Sequence, residues 1–155
     1  MYQGGELWDF SLVDPDNRRP VDYHRRAALL KEMQSLKVAQ VLERGGEGLP
    51  KLWVVHKALR VRTERPEWFG EEAGYQPLTA DGSQRDRVIA FRRGDEVLTV
   101  APRWSHDAEA WGDTEIEIPA GVWTNCLTGV EVAAGKMLVG DLLREFPVAM
   151  LTREG

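Results

Sequence analysis

"RVIAFRRGDEVLTVAP", Arg87 to Pro102, is the stretch whose reading decides the fold. Val88, Ile89, Ala90 and Phe91 form one unbroken apolar run, and Val97, Leu98 and Val100 form a second around Thr99. Between them lies Gly94-Asp95, a pair suited to a tight turn with positive φ. The stretch therefore predicts a β-hairpin, with strands over Arg87–Arg92 and Glu96–Ala101. Runs with so little polar alternation are expected to be buried on both faces or nearly so.

Working outward toward the C-terminus, "TEIEIP" alternates, which turns Ile116 and Ile118 inward and Glu115 and Glu117 outward. "VWTNCLTG", "VEVAAG", "MLVG" and "PVAMLT" follow as short strand candidates separated by Gly and Pro. About seven strands at this spacing predict an antiparallel sandwich over residues 74–155.

Toward the N-terminus the periodicity becomes helical. Asp22 is placed to cap a helix in which Tyr23, Ala27, Leu30 and Met33 recur on one face, running to about Leu36. Val38 to Leu42 predicts a second short helix, and Gly45-Gly46-Glu47-Gly48 breaks the pattern. A third helix starts at Pro50, buries Leu52, Trp53, Val55 and Leu59, and ends near Arg65, before Pro66. Pro66 to Phe69 reads as an irregular turn. The fold class is thus α+β: a polar loop and two or three helices over 1–73, then an all-β antiparallel sandwich.

A chain of 155 residues, 43% apolar and 29% charged, can bury roughly 68–70% of its unfolded surface in one core. No apolar run approaches the ~20 residues of a membrane span, so no membrane partner is expected. Met1 to Glu6 lacks a basic start and an apolar segment, so no secretory signal is read there. The lone cysteine, Cys126, has no internal partner, in keeping with a reducing, cytoplasmic compartment. A formal charge of −5 argues against nucleic acid, which requires a basic stripe.

One stretch stands apart. "SLVDPDNRRPVDY", Ser11 to Tyr23, is too polar for a strand and too rich in proline for a helix. It is a stiffened, charged loop ahead of any core-forming element. In its wider setting, "YQGGELWDFSLVDPDNRRPVDY" from Tyr2 to Tyr23, it resembles the segment after the last barrel strand in maltooligosyltrehalose synthases, a branch of the α-amylase family of glycoside hydrolases. That family typically reads Tyr-Gln-Gly-Thr-Glu-Leu-Trp, then Leu-Val-Asp-Pro-Asp-Asn-Arg-Arg-Pro-Val-Asp. The departure is Gly5, where the family usually carries threonine. "KLWVVHKALRVRTERPEWF" is similar to the family's closing barrel helix. "GYQPL", "RVIAFRR", "WGDTEIEIPAGVWTNCLTG" and "PVAML" are similar to its C-terminal β-domain.

The resemblance implies a fragment: the end of a (β/α)8 barrel over 1–73 and a β-domain over 74–155. Enzymes of this branch convert the reducing-end α-1,4 bond of a maltooligosaccharide into an α,α-1,1 bond by intramolecular transglucosylation. Their retaining mechanism needs a nucleophile and a general acid/base with carboxyl groups roughly 5–5.5 Å apart. The family places these groups after earlier barrel strands, so no catalytic residue, metal or cofactor is assigned here and the chain alone is expected to be inactive. Loops at the C-terminal face of a barrel carry its binding groups. The expected substrate contacts are Asp16 and Arg18, supported by Asp14, Asn17 and Arg19, with Tyr2 stacking on or lining the same pocket. The alternative is an internal Asp–Arg network that holds the loop's shape, with Tyr2 packed.

Other polar and aromatic groups offer less. His24, His56 and His106 show no ligand spacing, and Cys126 is expected to be a small buried residue. Trp104, Trp111 and Trp123 would form a glucan-binding platform if exposed and coplanar, but core packing is the stronger expectation. Trp8 and Trp53 are expected to tie the opening loop and helix to the barrel wall. Two functions remain open. In the first, the chain is the C-terminal part of the synthase-like enzyme, whether a truncated product or an excised domain, and partners the missing N-terminal barrel. Apolar helix faces left uncovered would then favour self-association or packing on the chain's own sandwich. In the second, it is a stand-alone glucan-binding or structural β-sandwich module.

Overall fold

The computed structural model describes residues 4–11, 20–104 and 111–153. The chain divides into two compact units, residues 1–57 and 58–155. The division falls inside a helix, α3.

The first unit carries α1 (Tyr23–Met33), α2 (Val38–Glu43) and the first half of α3 (Leu49–Glu64). Asp22 caps α1 as its sequence position predicts, its carboxylate accepting from the Arg25 amide at 2.9 Å. The buried face of α1 is not the predicted one. Leu29 and Met33 are buried, whereas Tyr23 is 55% exposed and Ala27 is also exposed. Of the predicted stripe only Met33 is fully buried; Leu30 is half-buried, and Leu29, outside that stripe, is buried in place of Tyr23 and Ala27. α1 ends at Met33, earlier than Leu36, because the chain turns over Ser35, whose hydroxyl and amide both donate to the Glu32 carbonyl.

The glycine cluster forms a 3-10 turn, Gly45–Glu47, closed by Gly48 at φ 82°. Pro50 then lies one residue inside α3, where a missing N–H still costs nothing. Leu49, Leu52 and Trp53 are buried on α3, but Leu59 is 44% exposed, so the predicted stripe holds only over the first turns. α3 ends at Glu64; Arg65 leaves the helical region ahead of Pro66, at φ −135° and ψ 64°, and Pro66–Phe69 is a 3-10 turn.

In the second unit the strands are β1 (Tyr75–Leu78), β2 (Ala80–Asp81), β3 (Val88–Arg93), β4 (Val97–Pro102), β5 (Glu115–Ile118), β6 (Trp123–Asn125), β7 (Glu131–Val132), β8 (Gly135–Leu138) and β9 (Ala149–Arg153). They build an antiparallel sandwich: a six-stranded sheet in the order β1-β3-β4-β9-β6-β7 and a three-stranded sheet β2-β5-β8. The predicted hairpin forms as β3–β4, each strand one residue later than expected, with Val88 opposite Pro102 and Arg93 opposite Val97. Gly94 supplies its turn at φ 57°. β4 is buried almost throughout, but β3 is not: Ile89 is 45% exposed. β3 lies between β4 and the short β1, so its outer face has little to cover it.

The sandwich core joins Leu98, Val100, Ile116, Ile118, Trp123 and Leu151 from both sheets. A short helix, α4 (Val139–Leu142), follows β8, so the "MLVG" stretch is strand only to Leu138. Val139 and Leu142 of α4 also enter the core. Among the described residues no helix is long and apolar enough to cross a membrane.

Candidate functional site

Tyr2, Asp14, Asp16, Asn17, Arg18 and Arg19, the residues singled out by the sequence, lie outside the described residues. The two segments on which the loop is mounted, Gly4–Ser11 and Pro20–Arg26, are described, and they define a cleft of about 470 Å³ in the first unit. Trp8, Asp9 and Phe10 line it from the first segment, Val21 and Arg25 from the second, and Glu47 from the glycine turn.

Arg26 holds the two segments together. Its guanidinium donates through Nη2 to the Gly4 carbonyl at 2.8 Å and through Nη1 to the Asp22 carbonyl at 3.1 Å. Its Nε meets the Glu6 carboxylate at 3.2 Å. The planar fork serves three acceptors from a fixed geometry, which a lysine cannot do. The mouth of the loop is thus stapled to the first turns of α1.

A second set of contacts fixes Trp8. Its indole N–H donates to the Gly45 carbonyl at 2.6 Å, and the Lys51 ammonium lies 5.6 Å over the ring while donating to the Leu7 carbonyl at 3.0 Å. Glycine is required at position 48, since a Cβ there would meet the Trp8 amide nitrogen at 2.9 Å. Trp8 stays 46% exposed and Phe10 88% exposed. Both faces are free to cover an apolar surface.

The rim is ionic. Arg44 grips Glu47 with two hydrogen bonds, at 2.6 and 3.0 Å, and reaches Glu32 at 2.7 Å. Its hydrogen bonds hold the Glu47 carboxyl below the usual carboxylate range, and the Arg44 guanidinium is made more basic in return. Asp9 is likewise held low, by hydrogen bonds from the Ser11 hydroxyl and then from the Ser11 amide, the latter at 2.9 Å. Neither carboxyl carries a proton near neutrality, which is the wrong state for a general acid. The cleft thus carries exposed aromatic side chains and carboxylates already fixed by hydrogen bonds.

Of the residues that organise the cleft, Arg26, Arg44 and Glu47 were not assigned a role there from the sequence. Two of the partners of Arg26, Glu6 and Gly4, lie 20 and 22 residues away. Elsewhere, Trp123 is fully buried and Trp111 is 8% exposed, while Trp104 is 48% exposed under Arg103. Trp111 and Trp123 are core residues, so they make no exposed platform with Trp104. Cys126 is partly buried, His24 is exposed and His56 partly buried, and His106 lies outside the described residues. Among the described residues no group of three or more His, Cys, Asp and Glu is arranged to hold a metal ion.

No protein-family model matches the chain. It is 42% identical, over 156 aligned positions, to a protein described as a maltooligosyl trehalose synthase of Mycobacterium tuberculosis; the match covers 99% of this chain and 18% of that protein. The solved maltooligosyltrehalose synthase of Arthrobacter ramosus superposes with a TM-score of 0.80 at 38% identity, over 98% of this chain and 19% of that one. A hypothetical maltooligosyl trehalose synthase of Sulfolobus tokodaii gives 0.65 at 26% identity, over 97% and 18%. In sequence and structure alike, the chain is homologous to one segment of the maltooligosyltrehalose synthases and spans 18–19% of the length of these relatives.

Proposed function

We propose that the chain is the C-terminal part of an enzyme that isomerises the reducing-end α-1,4 bond of a maltooligosaccharide to an α,α-1,1 bond by intramolecular transglucosylation. The observation that carries this reading is the match along 99% of the chain at 42% identity to less than a fifth of a synthase. In this reading residues 1–73 complete a catalytic barrel, residues 74–155 form its C-terminal β-domain, and the assembled enzyme works in the cytoplasm. The reacting carboxylates belong to the remainder of the enzyme, and the chain alone turns over no sugar.

The part this chain plays is to hold substrate. The residues assigned to substrate are Asp14, Asp16, Asn17, Arg18 and Arg19, with Tyr2. Arg18 forks onto vicinal hydroxyls, Asp16 accepts from others, and Asp14, Asn17 and Arg19 brace them. Trp8 and Phe10 supply aromatic faces for the apolar side of a glucose ring. Prolines at 15 and 20 limit the loop's freedom, which lowers the entropy lost on binding.

The test is a maltopentaose titration of the isotopically labelled chain, read by amide NMR shifts. Saturable shifts at Asp9, Phe10 and residues 14–19 are expected, and Arg18→Ala should abolish them. An absence of shifts there at millimolar sugar would overturn the substrate-loop assignment. As a second arm, this chain replaces the matching segment of the Arthrobacter ramosus synthase. The chimera should make trehalose-ended products, and Arg18→Ala should lower its kcat/KM by about tenfold or more, the worth of one charge-assisted hydrogen bond.

A further inference from the structure

The cleft of the first unit has two walls that come from separate stretches of chain. Trp8, Asp9 and Phe10 stand on Gly4–Ser11, and Val21, Asp22 and Arg25 on Pro20–Arg26. Neither stretch belongs to a sheet, so side chains, not a backbone ladder, set the distance between the walls.

Arg26 is the side chain that bridges them. On one wall it donates to the Gly4 carbonyl at 2.8 Å and meets the Glu6 carboxylate at 3.2 Å. On the other it donates to the Asp22 carbonyl at 3.1 Å. The Arg26 side chain is only 19% exposed, so water competes weakly for these bonds. Beside this clasp the walls are in contact: Gly4 lies at φ 82°, and a Cβ there would meet Val21 Cγ2 at 2.9 Å. The clasp is seated on a packed helix, since Arg26 belongs to α1, whose Leu29 and Met33 are buried. Trp8 is fixed from its other side by the bond to the Gly45 carbonyl. The spacing of the walls thus depends on one residue that is not among the proposed substrate contacts.

A ligand that touches both walls binds only those molecules in which the walls stand at the right distance. Fixing that distance in advance removes the ordering cost from the binding step. We propose that Arg26 is a positioning residue for the sugar, acting through the spacing of the two cleft walls rather than by contact. This rests on the substrate reading given above and adds to it the residue that sets the affinity. An arginine that only stabilised the fold would change how many molecules are folded. A positioning arginine changes how tightly the folded ones bind.

Maltopentaose is titrated into the labelled full chain, native and with Arg26→Lys or Arg26→Ala. The Trp8 indole N–H and the Phe10 amide are followed in the peaks of folded molecules, whose intensity gives the folded fraction and whose midpoint gives Kd. Arg26→Ala should raise Kd about fivefold or more. Arg26→Lys, which keeps one contact, should raise it about twofold or more, and serves alone if the alanine variant does not fold. In the chimera with the Arthrobacter ramosus synthase, the same variants should raise KM and leave kcat within about twofold. Lower peak intensity with an unaltered Kd overturns the proposal, as does a fall in kcat with KM unchanged. A native chain that shows no saturable shift overturns the substrate reading and this inference with it. A native chain that binds, with the variants' Kd equal to its own, overturns this inference alone.

Discussion

Arg26 meets three acceptors with one guanidinium, and each is a backbone carbonyl or a carboxylate at the mouth of the loop. Arg26→Ala should destabilise the first unit by about 1 kcal/mol, because two part-buried acceptors lose their donor. Arg26→Lys should recover less than half of that, since an ammonium cannot reach all three. Faster amide exchange across residues 4–11 and 20–26 would register the change. Asp113 makes a different prediction. The Ser83 hydroxyl, then the Ser83 amide at 2.9 Å, holds its carboxyl below the ordinary value. A carboxyl lowered by folding adds stability above its unfolded pKa and loses it as pH falls through the folded one. Urea unfolding should therefore separate the native protein from Asp113→Asn at neutral pH, and the gap should narrow as pH falls below the ordinary carboxylate range.

At the scale of elements, caps, turns and the inward face of β5 were legible, and the packed face of α1 was not. Asp22 was readable as a cap because the rule is local: an oxygen placed before an apolar-periodic run. Asp22→Ala should cost about 0.5–2 kcal/mol and show as fraying of the first turn of α1 by amide exchange. The β3–β4 hairpin was readable for the same reason, since Gly94 and the two apolar runs are adjacent in sequence. The buried face of α1 was not, because Tyr23, Ala27 and Leu30 share a stripe as apolar as the one that packs. Nor was the β2-β5-β8 sheet, whose first strand is two residues long and pairs across more than thirty positions with Ile116 and Glu115. Periodicity needs several residues to declare itself, and β2 has none to spare. The cleft was legible only as a loop worth watching; the Arg26–Glu6 and Arg44–Glu32 salt bridges that shape it join residues distant in sequence.

For the molecule as a whole, the β unit depends on one core that both sheets share. Trp123 lies fully buried within it, its indole N–H donating to the Pro119 carbonyl at 2.8 Å. Trp123→Ala should cost about 3–5 kcal/mol, seen as a lower urea midpoint for tryptophan-independent signals such as far-ultraviolet circular dichroism. α3 spans the division between the two units. The antiparallel sandwich was foreseeable from strand spacing, whereas the division at Lys57 was not, because the helical pattern runs through it unbroken.

The sheet order has a consequence for how the chain is made. β9 is the final strand in sequence, yet it lies in the middle of the six-stranded sheet, bonded to β4 on one side and β6 on the other. During vectorial synthesis the halves β1-β3-β4 and β6-β7 leave the ribosome with facing open edges that nothing bridges. Only the emergence of β9 lets the sheet close, so the borders of β4 and β6 stay unpaired until it is made. A message stopped after Val148 should accordingly yield an insoluble product, whereas extra residues added beyond Gly155 should be tolerated.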